Sequence, residues 1–130
     1  MNAIAARVTP TQVIGLLGAL LWPLLPSATV AQDTAPLRIA HVGPVATTIP
    51  PPKSGSVQEM TSLLTEGLVR LGHDVTLFAT ADSTTRARLH ALFPHGYWHD
   101  EHMWPWELYE MLNLSAAIER AASFDIIHYE

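Results

Sequence analysis

The sequence predicts an α/β fold built on a parallel sheet, and three observations predict it. Leu37–Val42 (LRIAHV) and Val75–Thr80 (VTLFAT) are short, mostly apolar runs of the kind that form strands covered on both faces. Between them Val57, Met60, Leu63, Leu64, Leu68 and Leu71 recur at spacings of three and four, the stripe of an amphipathic helix. Strand, loop, helix and strand succeed one another within about 40 residues, the size of a βαβ unit, whose strands are parallel. Phe124–Tyr129 (FDIIHY) repeats the strand pattern at the far end of the chain.

Taken in order, the first strand ends at Gly43-Pro44. A loop follows from Val45 to Ser56, stiffened by Pro50, Pro51 and Pro52. The helix begins near Val57, and Gly72 stands where a left-handed terminator belongs. After the second strand, Asp82-Ser83 is suited to cap a short helix over Thr84–Leu92. Pro94–Pro105 is rich in aromatic residues and histidine. Trp106–Ala122 carries a second helical stripe through Leu108, Met111, Leu112 and Ile118. A strand at the end of the chain has no helix after it to cover the sheet, so the sequence is expected to stop inside a domain.

The chain of 130 residues fits about one domain. A hydrophobic content of 48% supports a buried core. The formal net charge of −5 argues against a general nucleic-acid binder, which needs a basic face. With no cysteine, disulfides and thiolate metal sites are excluded.

Residues 1–31 differ in character. Arg7 is the only charged side chain before Asp33, and Val13–Leu25 is an apolar run broken by Pro23. It is shorter than the ~20 residues that cross a bilayer comfortably. Ala28-Thr29-Val30-Ala31 resembles a secretory cleavage site, with cleavage after Ala31. The segment reads either as a signal peptide or anchor, or as a leader translated from a wrongly chosen start. Residues 32–36 form a polar linker, and 37–130 the domain itself.

The loop before the helix draws attention because ligands of open α/β sheets bind beyond the carboxyl ends of the strands. Gly55 lets a ligand approach the backbone, and the helix start directs N–H groups and a positive dipole end into the same space. A phosphate or a sugar hydroxyl suits such a place. The plainer alternative is a glycine that only turns the chain into the helix.

LRIAHVGP, PPKSGSVQEMTSLLTEGLVRLGHDVTLFATADSTT and FDIIHYE together resemble the N-terminal half of a GT-B glycosyltransferase of the retaining family-4 type. The resemblance runs from Leu37 to Glu130 and is most specific over Leu63–Asp82. It implies a partial Rossmann-like sheet with flanking helices, in an enzyme that moves a sugar from a nucleotide-sugar donor to an acceptor with retention. It also implies a second, C-terminal domain that holds most of the donor and carries an E-x7-E motif. The nucleotide sugar is then a co-substrate, with no cofactor and no metal.

By position, the resemblance places Ser54, Gly55, Ser56 and Glu59 in the substrate-binding loop and helix start, and His128 at the acceptor side. Ser54 stands where the family commonly has tyrosine, and Ser56 where it has a second glycine. No residue here is assigned a catalytic role. Because nucleotide sugars are cytoplasmic, the resemblance implies a cytoplasmic or peripheral inner-membrane protein, with membrane association through the leader. A genuine signal peptide would instead imply export.

Other residues carry rival readings. His95, His99 and His102, with Asp100 or Glu101, form a histidine-rich run, but their spacing fits no standard zinc site. Trp98, Trp104 and Trp106 can stack on a sugar or rest on a membrane, and the large indole favours packing beneath a loop. His41 reads either as a cleft residue or as a buried, hydrogen-bonded histidine. Asp82 occupies the place of a ribose-binding acid, which would suit a nucleotide-dependent oxidoreductase or other Rossmann enzyme, although GxGxxG is absent. A non-catalytic exported binding module is the other alternative.

Overall fold

Four parallel strands form one sheet in the order β3-β2-β1-β4. They are β1 (Arg38–Val42), β2 (Asp74–Phe78), β3 (Arg88–His90) and β4 (Ile126–Tyr129), with helices α1 (Ser56–Arg70) and α2 (Trp106–Ile118) between them. The structure, a computed structural model, describes residues 35–101 and 104–130. The expectations for the leader, for linker residues 32–34 and for His102 lie outside these residues. Among the described residues no helix is long and apolar enough to cross a membrane.

β1 is an interior strand of the sheet, as its largely apolar character requires: Ile39, Ala40, His41 and Val42 are all buried. Alternate residues of a strand face opposite ways, so its two faces meet different helices. Ala40 and Val42, with Phe78 of β2, pack on Ala116 and Ala117 of α2. His41 lies on the other face, where its Nδ1 meets the Thr65 hydroxyl of α1 at 2.7 Å. Asn113 of α2 ties the carboxyl ends of the two central strands, its amide donating to the carbonyls of Gly43 at 3.0 Å and Phe78 at 3.1 Å. β4 is anchored at its start by Asp125, which accepts from the Arg38 guanidinium at 2.7 Å and from its N–H at 2.8 Å.

The end of α1 is built as its sequence predicts. Gly72 adopts φ 89°, the left-handed region that glycine enters without a Cβ penalty. Gly72 N–H then donates to Val69 O and His73 N–H to Leu68 O, the paired bonds of a Schellman motif.

The orientation of both helices corrects the sequence reading. Val57, Met60, Leu63, Leu64 and Leu71 are exposed, and α1 turns Gln58, Thr61 and Thr65 inward. Likewise Leu108, Met111, Leu112 and Ile118 are exposed, while Tyr109, Glu110, Asn113, Ala116 and Ala117 face the sheet. The inward polar groups have partners. Thr61 donates to its own helix at Val57 O, Thr65 meets His41, and Asn113 meets strand-end carbonyls. Small alanines let α2 approach closely. Periodicity identified the helices but not the face each would bury.

No helix forms over Thr84–Leu92: an irregular stretch with a bend at Arg86-Ala87 leads into β3. Arg88, Leu89 and His90 pair with Thr76, Leu77 and Phe78 of β2. The Glu66 carboxylate of α1 holds the approach, accepting from Thr85 Oγ1 at 2.8 Å, Arg86 N–H at 2.9 Å and Arg86 Nε at 2.6 Å. Asp82-Ser83 caps no helix: Ser83 Oγ accepts from Ile49 N–H at 2.9 Å and so pins the proline loop to the end of β2.

Candidate functional site

An open cleft of about 460 Å³ lies beyond the carboxyl ends of β1 and β4. Its volume falls within the range of small-molecule sites, about 300–1,000 Å³. Gly55, Ser56, Val57 and Gln58 line it at the entry to α1, Tyr97 and Trp98 from the loop after β3, Trp106 and Glu110 from α2, and Tyr129 of β4 with Glu130 just after it. The first turn of α1 has no side-chain cap, so its free N–H groups border the cleft and favour an anionic or hydroxyl oxygen.

Gly55 lines the cleft, but the space its Cβ would take is already filled. That atom would lie 2.7 Å from Gln58 Oε1 and 3.1 Å from Pro51 Cβ. The glycine therefore fits the packing of the proline loop against the helix start, and it also lines the cleft. Ser56 borders the cleft, whereas Ser54 and Glu59 are exposed and do not line it. His128 also lies outside the lining. Its ring stacks on His41 with centroids 5.0 Å apart. Asp82 is exposed, does not line the cleft, and accepts from Thr80 Oγ1 at 2.6 Å.

The tryptophans correct the packing expectation. Trp98, Trp104 and Trp106 are 66%, 57% and 52% exposed, and Trp98 and Trp106 stand on the rim of the cleft. Trp98 is held there by backbone. Tyr97 N–H donates to Val45 O and Trp98 N–H to Ala46 O, each at 3.2 Å. The neighbouring Gly96 makes this docking fit, because a Cβ on it would lie 2.2 Å from Ala46 O.

Glu110 is the buried acid of the site, and the sequence reading passed over it. It is 7% exposed, and Val45 N–H donates to its two oxygens at 3.2 and 3.3 Å. Burial raises its pKa above the ordinary carboxylate value, against the opposing pull of Val45 N–H and the Tyr97 hydroxyl. A signal was present: Glu110 and Asn113 lie three apart on the helix face that carries Ala116 and Ala117, a face with polar groups where a core stripe would be apolar.

A second titratable group adjoins the cleft. His41, fully buried, reaches Glu130 Oε1 through Nε2 at 3.4 Å, and His128 Nδ1 lies 3.9 Å from the same oxygen. Burial lowers the His41 pKa, with Glu130 opposing. Among the described residues, His41, His128 and Glu130 offer three metal-ligating atoms within 4.8 Å of one another. The histidine run read from sequence forms no such group among those residues: the rings of His95 and His99 stand 6.2 Å apart, edge to face. No protein family and no curated protein compared with the chain matches it.

Proposed function

We propose that this chain forms one wall of a sugar-transfer site, as the N-terminal part of a GT-B glycosyltransferase acting with retention on a nucleotide-sugar donor. The observation that carries the reading is the convergence at the cleft of two exposed indoles, Trp98 and Trp106, with the buried carboxylate Glu110 and the uncapped start of α1. Sugars present apolar ring faces and hydroxyl rims. Indoles suit the former, and a carboxylate that accepts from hydroxyls suits the latter. The N–H groups at Ser56 and Val57 suit a diphosphate or a sugar hydroxyl. The resemblance over Leu37–Glu130 gives these features their common purpose.

In this reading Glu110 orients an acceptor hydroxyl, and Trp98 and Trp106 hold the ring. A second domain supplies the remaining donor contacts and the opposing charge. Residues 32–130 alone then bind ligand but transfer no sugar. Saturation-transfer NMR against a panel of nucleotide sugars and simple glycosides tests the binding, and a donor-consumption assay tests the turnover. Binding without turnover is the expected result. Turnover by this segment alone, or no binding by any sugar or nucleotide sugar, contradicts the reading. Selective binding of a nicotinamide dinucleotide would favour an oxidoreductase instead.

A further inference from the structure

We propose that His41, His128 and Glu130 form a binding site for a divalent transition-metal cation, zinc by preference. The pairing of the strands builds it. In the parallel register of β1 and β4, His41 stands opposite His128, so both imidazoles project from one face of the sheet. Glu130 follows two residues later on that face. Its N–H donates to Val42 O at 3.2 Å, which carries the ladder beyond β4 and fixes the carboxylate beside the rings.

The distances suit a small cation. Ligand nitrogens and oxygens lie about 2.0–2.1 Å from zinc, so the corners of a tetrahedral site are about 3.4 Å apart. Glu130 Oε1 is 3.4 Å from His41 Nε2 and 3.9 Å from His128 Nδ1, and the three ligand atoms all fall within 4.8 Å. The His128 side chain is 46% exposed, which leaves it free to turn and close the remaining gap. His41 is already fixed. Its Nδ1 meets Thr65 Oγ1 at 2.7 Å, the outer partner that metal-ligating imidazoles ordinarily have. Among the described residues, Glu130 has ion-pair contacts only with these two histidines.

Two imidazoles and one carboxylate select the metal. Such a set suits zinc, cobalt or nickel, whereas magnesium and calcium take oxygen ligands. Three protein ligands leave one position open, as in zinc sites that bind water or substrate. Glu130 also lines the cleft, so that position adjoins the space where an anionic ligand oxygen would lie. The site departs from the metal-free transfer that the family resemblance implies, and its test reads the cation alone.

Titration of the full chain with zinc, and with cobalt as a spectroscopic probe, tests it. The expected result is one tight equivalent of zinc and the visible bands of tetrahedral cobalt. His128→Ala and Glu130→Gln should each weaken zinc at least tenfold, and Thr65→Val should weaken it about 10–100-fold. The paired substitution His95→Ala and His99→Ala should leave that equivalent intact. No zinc binding by the parent chain overturns the proposal. So does zinc binding that persists in both His128→Ala and Glu130→Gln, or that disappears when His95 and His99 are replaced. His128 and Glu130 lie at a partly exposed edge, and circular dichroism of those variants checks that a loss of zinc is not a loss of fold.

Discussion

Replacing Gly96 by alanine should cost this fold about 3–5 kcal/mol, most of it through backbone rather than side chains. Gly96 has φ −67° and ψ 144°, which any residue can adopt, so conformational freedom is not the reason for glycine here. Space is the reason. An added Cβ would lie 2.2 Å from Ala46 O, 2.4 Å from Thr47 Cα and 2.5 Å from Ala46 C. Carbon atoms rest about 3.5–4.0 Å apart, so the two segments must separate by more than ~1 Å. That movement breaks Tyr97 N–H to Val45 O and Trp98 N–H to Ala46 O. Two hydrogen bonds at about 1 kcal/mol each, added to about 1–3 kcal/mol for overpacking, give the stated range. Urea unfolding followed by circular dichroism measures it. Gly67→Ala is the control: nothing lies within 4 Å of its added Cβ, and a helix-interior glycine replaced by alanine gains about 0.5–1 kcal/mol. A Gly96→Ala variant within about 0.5 kcal/mol of the parent would show that the two segments separate at no cost.

Four further outcomes are expected. Asn113→Ala should lose about 2–4 kcal/mol in the same unfolding assay, because it removes both amide bonds to the ends of β1 and β2. Leu63→Ala should change stability by less than about 0.5 kcal/mol, since Leu63 is 55% exposed; a loss of about 2–5 kcal/mol would mean that the apolar stripe of α1 faces the core after all. Acid should destabilise the fold partly through Glu66, whose hydrogen bonds from the backbone and then the side chain of Arg86 lower its pKa from 4.5 to about 2. A depressed carboxylate contributes stability above its unfolded pKa and loses it as pH falls through the folded value. Glu66→Gln should therefore flatten the stability curve between pH 4.5 and about 2, as followed by thermal unfolding across that range. Glu110 has the opposite sign: its raised pKa favours the fold at low pH and loses that contribution as pH rises, so Glu110→Gln should lessen the decline toward neutral pH.

The strands were legible because burial on both faces leaves a direct mark, an almost unbroken apolar run at Leu37–Val42 and Val75–Thr80. Helix α1 was legible from its period and from Gly72. Its inward face was not, because Thr61 and Thr65 read as solvent residues until His41 and the helix carbonyls are placed beside them. β3 was hidden for a related reason: its short extended run is fixed by pairing with β2 and by Glu66, 20 positions away from Arg86. Gly55 and Ser56, which line the cleft, stood out in the sequence through the loop they occupy. Glu110 was not, since its burial depends on how α2 meets Val45. The grouping of His41 with Glu130 spans 89 positions and depends on strand register, which no local pattern encodes.

Chemical-shift mapping of the isotope-labelled chain during titration with the best-binding nucleotide sugar tests the proposal that the cleft at the carboxyl ends of β1 and β4 holds a sugar or nucleotide sugar. Shifts are expected to centre on Ser56, Val57 and the indole N–H groups of Trp98 and Trp106, and Glu110→Gln is expected to weaken the interaction. Shifts centred elsewhere, or none with any nucleotide sugar, would contradict the proposal.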